Sequence, residues 1–271
     1  MNYQVYPVPD PLKKYVRYFW SIDFNDPVYN PKIIKILADR YPRLIFQNLD
    51  GRKPIITADG ENLPELFLSG IMTSDTAYTV TSQYSHFGVS FYSHALKAMF
   101  RIDANELTDV NPDLIHFCPK DLKQKLADAP DHQAKRNILA AFLITRLPDS
   151  RKKVFSINDF IIADDIPENW NTSYLQTRFG MSERQLERQF KSKIGVSPKT
   201  FLRITRFEKA LDIIKSPTFS SLTEVAYQLN YSDQSHFIRE FKSFSGYTPQ
   251  QFLDKQKFGE ESASFLLDAI V

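Results

Sequence analysis

The sequence predicts an α+β fold in two parts. The first is a β-rich barrel or sandwich with flanking helices, and the second an all-α part of two helix-turn-helix units joined by a linker helix. Three observations predict it. Apolar residues alternate with period two in much of the first hundred residues, the period turns helical from about residue 120, and the C-terminal half contains an internal repeat. A length of 271 residues suits two domains, and 42% hydrophobic residues suffice for real cores.

Taken in order, Leu12 to Trp20 admits either a short helix or an opening strand. Arg43 to Leu49 runs into the turn pair Asp50-Gly51, and Pro54 to Thr57 follows, the pattern of a hairpin. Tyr78 and Val80 alternate with Thr79 and Thr81, and Phe87, Val89 and Phe91 with Gly88, Ser90 and Tyr92. Such alternation marks half-buried strands. Leu122 and Leu126 then share a helical face, as do Ile138, Leu139, Phe142 and Leu143. The polar run from Pro148 to Lys153 reads as a linker, which gives expected domains of 1–147 and 151–257.

The repeat is the most specific signal. Gly180-Met181-Ser182 lies over Asn230-Tyr231-Ser232, and one inserted residue later Leu186 matches Phe237, Arg188 matches Arg239 and Phe190-Lys191-Ser192 matches Phe241-Lys242-Ser243. Gly195 matches Gly246, Ser197-Pro198 matches Thr248-Pro249, and Phe201-Leu202 matches Phe252-Leu253.

Each copy carries the signals of a helix, a tight turn and a second helix. Gly180 and Asn230 occupy the turn, where a positive φ favours glycine and tolerates asparagine. Ser182 with Gln185 and Ser221 with Glu224 have the spacing of capping boxes. Leu186, Phe190 and Ile194 form one buried stripe, and Phe237, Phe241 and Phe244 the other. At about 100° per residue, Arg184, Arg188 and Lys191 fall opposite the first stripe, and Ser235, Arg239 and Lys242 opposite the second. Gln185, Glu187, Gln234 and His236 flank them. Arginine can bind guanine bidentately and glutamine adenine, while lysine and serine suit phosphate. A lone helix with such a face reads as solvated surface; two copies with matching Arg and Lys point to DNA. Pro198 opens a linker helix to about Lys215 with Phe201, Ile204, Phe207, Leu211 and Ile214 inward. Its length of roughly 27 Å would set two recognition helices about one duplex turn apart.

Charge agrees with this division. Residues 1–150 hold 17 Lys/Arg against 17 Asp/Glu, whereas 170–257 hold 14 against 8, a local excess of +6 within a chain of net +2.

In these motifs the C-terminal half resembles the AraC/XylS family of bacterial transcription regulators. The likeness is strong over residues 170–253 and loose over 154–169. It rests on Ala226, Tyr231, Asp233, Ser235, Phe237, Arg239, Phe241-Lys242, Gly246, Thr248-Pro249 and Phe252 in the second copy. Gly195, Ser197-Pro198, Arg206 and Ala210-Leu211 carry it in the first copy and the linker. The resemblance implies that helices at about 183–193 and 233–244 enter the major groove. It also implies base contacts from Arg184, Glu187 and Arg188, and from Gln234, Ser235 and Arg239. Departures are Gln176 in place of a small residue, Asn230 in place of glycine, and Glu187, a negative charge useful near DNA only if it reads cytosine or is held by an Arg. Leu12 to Trp20, Leu44-Ile45-Phe46, Leu68-Ser69-Gly70 and Phe87-Gly88-Val89 resemble the β-barrel-like, cupin-like sensor domains of such regulators. In the family these bind an effector, dimerise, or both.

The resemblance therefore implies a cytoplasmic transcription factor, not an enzyme, that uses no cofactor. Expected partners are double-stranded DNA, a small-molecule effector, a second copy in a homodimer, and RNA polymerase; no membrane is expected. Two other readings stand beside it: a helical protein-interaction module, and a small-molecule enzyme in the N-terminal barrel. The five histidines (86, 94, 116, 132 and 236) form no metal-binding motif, and no phosphate loop or nucleophile elbow is present. Tyr15, Tyr18, Phe19 and Trp20 can line a pocket but suit a core better. The single Cys118, beside His116, reads as a packing residue in a reducing compartment. No signal peptide or apolar span is seen.

Overall fold

In the computed structural model, which describes residues 2–25, 32–80, 83–148, 171–254 and 265–269, the first part is an open β-sandwich and not a closed barrel. Strands β1 (Asn2–Tyr6), β2 (Val16–Asn25), β4 (Arg43–Gln47), β6 (Leu66–Ser69) and β8 (Gln83–Phe91) form one antiparallel sheet in the order β1-β2-β8-β4-β6. The other sheet is β5 (Ile56–Thr57), β7 (Thr76–Val80), β3 (Lys32–Ile36) and β9 (Phe265–Ala269), in the order β5-β7-β3-β9. Strand β9 follows the helical part in sequence and returns to pair with β3.

Period two decides which side chain goes where. Phe87, Val89 and Phe91 share a face with Phe19, Leu44 and Phe46, since the register pairs Phe19 and Leu44 with Val89 and Phe46 with Phe87. That face is covered by α1 (Leu122–Ala127) and α2 (His132–Thr145), through Leu122, Leu126, Leu139 and Leu143. The alternate residues Trp20, Tyr84 and His86 face the second sheet, where Tyr84 joins Ile34 and Val80 in a smaller cluster. Gly88 leaves room for the Trp20 ring, since a Cβ there would lie 2.3 Å from it. Burial holds the His86 imidazole down to about 4, so it is neutral near pH 7.

Leu12 to Trp20 contains both expected elements: a 3₁₀ turn at Asp10–Leu12, then β2 from Val16. The expected hairpin does not form. Asp50 and Gly51 do turn, at φ 45° and 76°, but β4 pairs with β6 and β8 while β5 pairs with β7 in the other sheet. Leu44 and Phe46 are wanted in the core beneath α2, so β4 is drawn into the sheet that faces it. Of the sequence-predicted linker, Pro148 to Lys153, all but Pro148 lies outside the described residues, as do the loosely matching residues 154–169 and residues 255–257 at the end of the second expected domain.

The helical part comprises α3 (Thr172–Phe179), α4 (Glu183–Ile194), α5 (Pro198–Lys215), α6 (Leu222–Gln228), α7 (Gln234–Ser245) and α8 (Pro249–Asp254). Its core holds Leu186, Phe190, Phe201, Ile204, Phe207, Leu211, Phe237 and Phe241, and each buried side chain of this size stabilises by about 1.5–3 kcal/mol. Leu37, Ala38 and Ile71 of the β-sandwich belong to the same core, so the two parts are packed together. At that junction Arg40 and Glu208 form a buried ion pair at 2.6 Å. Burial pushes the Glu208 carboxyl up to about 7, against the pull of Arg40.

Candidate nucleic-acid interface

Both second helices start on side-chain caps. The Ser182 hydroxyl accepts from the Gln185 N–H and Gln185 Oε1 from the Ser182 N–H, the full reciprocal box. In the second unit Asp233 Oδ1 accepts the His236 N–H at 2.7 Å, and that bond, first among several, holds the Asp233 carboxyl below its usual range. Ser221 caps α6 by accepting the Glu224 N–H at 3.2 Å, but the expected return bond is replaced by one from Ser220 to the Glu224 carboxylate. Gly180 at φ 60° and Asn230 at φ 55° make the turns, as their positions in the repeat require.

The caps and stripes fix the outward face. Leu186, Phe190 and Ile194 are buried under α4, and Arg184, Gln185, Arg188 and Lys191 are exposed. Phe237, Phe241 and Phe244 are buried under α7, and Gln234, Ser235, Arg239 and Lys242 are exposed. Each set thus comes together on one face of one helix. Some members have local work: Gln185 completes the capping box, Gln234 Oε1 accepts from the Thr223 hydroxyl at 3.0 Å, and half-buried His236 bonds Ser232 at 3.1 Å. Glu187 lies 3.9 Å from Lys191, one turn on, so a lysine and not an arginine is its partner.

Beneath α7 lies a network that the repeat did not reveal. The Tyr231 hydroxyl donates to Glu240 Oε1 at 3.1 Å, and Arg203 Nε of α5 donates to Glu240 Oε2 at 2.8 Å. Burial, then Glu240, raises the Tyr231 phenol and keeps it protonated. The Arg206 guanidinium sits 5.0 Å from the Tyr231 ring centroid. A signal was available: Glu240 falls within about 60° of Phe237 on the helical wheel, beside the buried stripe.

Elsewhere, Cys118 is half-buried and burial raises its thiol, so it packs beside the helix-side core as expected. Phe19 is fully buried in that core, while Trp20 faces the other sheet. Among the described residues no helix is long and apolar enough to cross a membrane, and no His/Cys/Asp/Glu group is placed to hold a metal.

A helix-turn-helix domain family matches residues 175–255, the span of the paired units just described. The C-terminal unit belongs to the AraC-type helix-turn-helix domains. A domain family of unknown function matches residues 4–113 of the sandwich. Relatives of the AraC-type domain are transcription regulators. The chain is 32% identical over 91 residues to the HTH-type transcriptional regulator MtrA of Neisseria gonorrhoeae, covering 34% of this chain and 30% of the relative. It is 32% identical over 88 residues to the HTH-type transcriptional activator RhaS of Escherichia coli, covering 32% and 30%. The chain thus spans under a third of the length of the relatives it matches. Among solved structures, ToxT of Vibrio cholerae aligns over 87% of this chain and 98% of its own, at 13% identity and a TM-score of 0.43.

Proposed function

We propose that this chain is a sequence-specific DNA-binding transcription regulator, with α4 and α7 entering successive major grooves and the β-sandwich modulating their binding. One observation carries the reading: two copies of an AraC-type unit expose equivalent cations, Arg188 with Lys191 and Arg239 with Lys242, opposite equivalent buried stripes. Arg184, Arg188 and Arg239 reach base edges; Ser235, Lys191 and Lys242 hold phosphate. Gln185, Gln234 and His236 contact DNA with whatever groups their local bonds leave free, and Glu187 tempers Lys191. Residues 1–147 and 151–257 act as the two domains, and the chain performs no catalysis.

The modulator is a small molecule taken between the sheets, where the buried Trp20 Nε1–H and Tyr84 O–H face inward and find no partner among the described residues. A neutral ligand with hydrogen-bond acceptors suits that pair, because His86 beside them is neutral. Binding there regulates only by its differential affinity for two states.

The test is selection of duplexes from a random pool by the full-length protein, with upstream DNA of neighbouring genes included. Two half-sites about 10 base pairs apart are expected. Log K should fall against log salt with a slope of about −4 to −5, as neutralising about five phosphates requires. No enrichment at low salt, or a slope near zero, rules the reading out and leaves a protein-docking face.

A further inference from the structure

The repeat places Gly195 and Gly246 at equivalent positions, each ending a recognition helix in the left-handed region, at φ 109° and 72°. Both ends are pressed against the β-sandwich. At Gly195 the Thr108 hydroxyl donates to the glycine carbonyl at 2.9 Å, and a Cβ would stand 2.9 Å from that hydroxyl. One turn back on α4, Ser192 bonds the Asp103 carboxylate, which Lys97 also holds at 2.7 Å. At Gly246 a Cβ would stand 2.3 Å from Lys35 Nζ and 2.7 Å from Asp75 Oδ2, which are themselves ion-paired at 2.9 Å. The Ala38 N–H donates to the carbonyl of Phe244 at 3.0 Å. Between these two contacts, Glu208 of the linker helix accepts from the Arg40 backbone N–H at 2.9 Å and is ion-paired with its guanidinium at 2.6 Å.

We propose that Arg40 and Glu208, with Thr108 at the first helix end and Lys35 at the second, are positioning residues: the β-sandwich is a three-point splint that fixes the separation and angle of the two recognition helices, and hence the half-site spacing the protein accepts. The spacing claim rests on the DNA reading above. The linker helix packs against both units and sets their distance; contacts at both helix ends and at the linker limit how far each unit can still tilt on it. Two of the three contacts come from one short stretch of the sandwich: Lys35, Ala38 and Arg40 lie within six residues of chain at the end of β3, and β9 pairs along the other side of that strand. A ligand that shifts β3 therefore moves every clamp but the first helix end.

The experiment uses full-length protein and duplexes carrying the selected half-sites at the preferred spacing and at one base pair more or less. The Arg40→Met/Glu208→Gln double variant removes both buried charges together while leaving an acceptor for the Arg40 N–H. Thr108→Val independently removes the hydroxyl at the first helix end. Wild-type protein should lose about tenfold or more in affinity when the spacing changes by one base pair, and each variant should lose under about threefold, with binding to a single half-site unchanged. Spin labels on Lys191→Cys and Lys242→Cys, with Cys118→Ser, should give a narrow distance distribution without DNA that broadens in both variants. A wild-type spacing profile and an unbroadened distribution in both variants overturn the splint. Broadening in the variants of a protein that binds no duplex upholds the splint's geometry and overturns the DNA reading.

Discussion

The two helix-turn-helix units reach one geometry by different means. In the first, α4 is held at its start by the Ser182–Gln185 box, and its stripe is Leu186, Phe190 and Ile194. In the second, α7 is capped by Asp233, its stripe is Phe237, Phe241 and Phe244, and Tyr231, Glu240 and Arg203 tie it to the linker helix. Among the described residues, Phe241 packs edge-on against Phe207 at 5.1 Å, Phe237 at 5.8 Å and Phe252 at 5.5 Å, whereas Phe190 has one such contact, with Phe201 at 5.8 Å. The comparison teaches that the repeat preserves a scaffold and an outward face but not the source of rigidity. The second unit is anchored within the helical part as well as at Lys35 and Ala38; the first leans on a surface cap and on Asp103 and Thr108, which flank a 3₁₀ turn at Ala104–Leu107.

Deleting the buried ring of each stripe tests this contrast at its strongest. Phe241→Ala should cost about 4–5 kcal/mol of unfolding free energy and Phe190→Ala about 3, measured in urea. Equal losses would mean that aromatic packing does not distinguish the units.

Acid separates the sandwich from both. The folded pKa of His86 is lowered to about 4 against an unfolded value near 6.5, so its contribution is complete above pH 6.5 and lost as pH falls towards 4. The loss is about 3 kcal/mol in total, and His86→Gln should flatten that limb of the stability curve. If the units depend unequally on the sandwich, exchange protection of α4 amides falls with the acid limb before that of α7.

The buried network should separate the units further. Glu240→Ala leaves the Tyr231 hydroxyl and Arg203 without their shared acceptor and should cost about 2 kcal/mol, while Gln189→Ala at the equivalent position should cost under about 0.5. Comparable costs would place a matching anchor under α4. The smallest difference expected is at the turns. With a φ of 60° and nothing within 4 Å of the missing Cβ, Gly180→Ala should cost about 1 kcal/mol, from backbone strain alone. Asn230→Gly should change stability by under about 0.5 kcal/mol, since asparagine already tolerates this region.

These differences also mark what the chain reveals before it is folded. Caps, turns and stripes are local, set by neighbours three or four residues apart, and Ser182–Gln185, Gly180, Asn230 and the buried faces of α4, α5 and α7 were legible from spacing. The cations opposite the stripes follow from the same periodicity. Side-chain competition is less legible: Gln185 and Gln234 bond their own unit because a nearby donor is always present, while a base edge is not. Strand partners depend on residues far apart in sequence, so the Asp50-Gly51 turn was visible but its hairpin false, and β9 at the far end of the chain gave no signal of joining β3. The seam between the parts was half-legible. Glu208 falls at about 340° when Phe201 is set to zero, inside the apolar arc of its helix. A carboxylate there demands a buried cation, but nothing in the spacing names Arg40.

Base reading by equivalent arginines is tested most directly with full-length Arg188→Ala and Arg239→Ala, each measured against a panel of single-base changes in the selected operator. Each variant should lose discrimination at one base pair only, the two positions about 10 base pairs apart, while Lys191→Ala and Lys242→Ala weaken binding to every duplex alike and lower the salt slope by about one each. Uniform losses across the panel for both arginine variants would show that they touch only the backbone, and would contradict the assignment of sequence reading to these two helices.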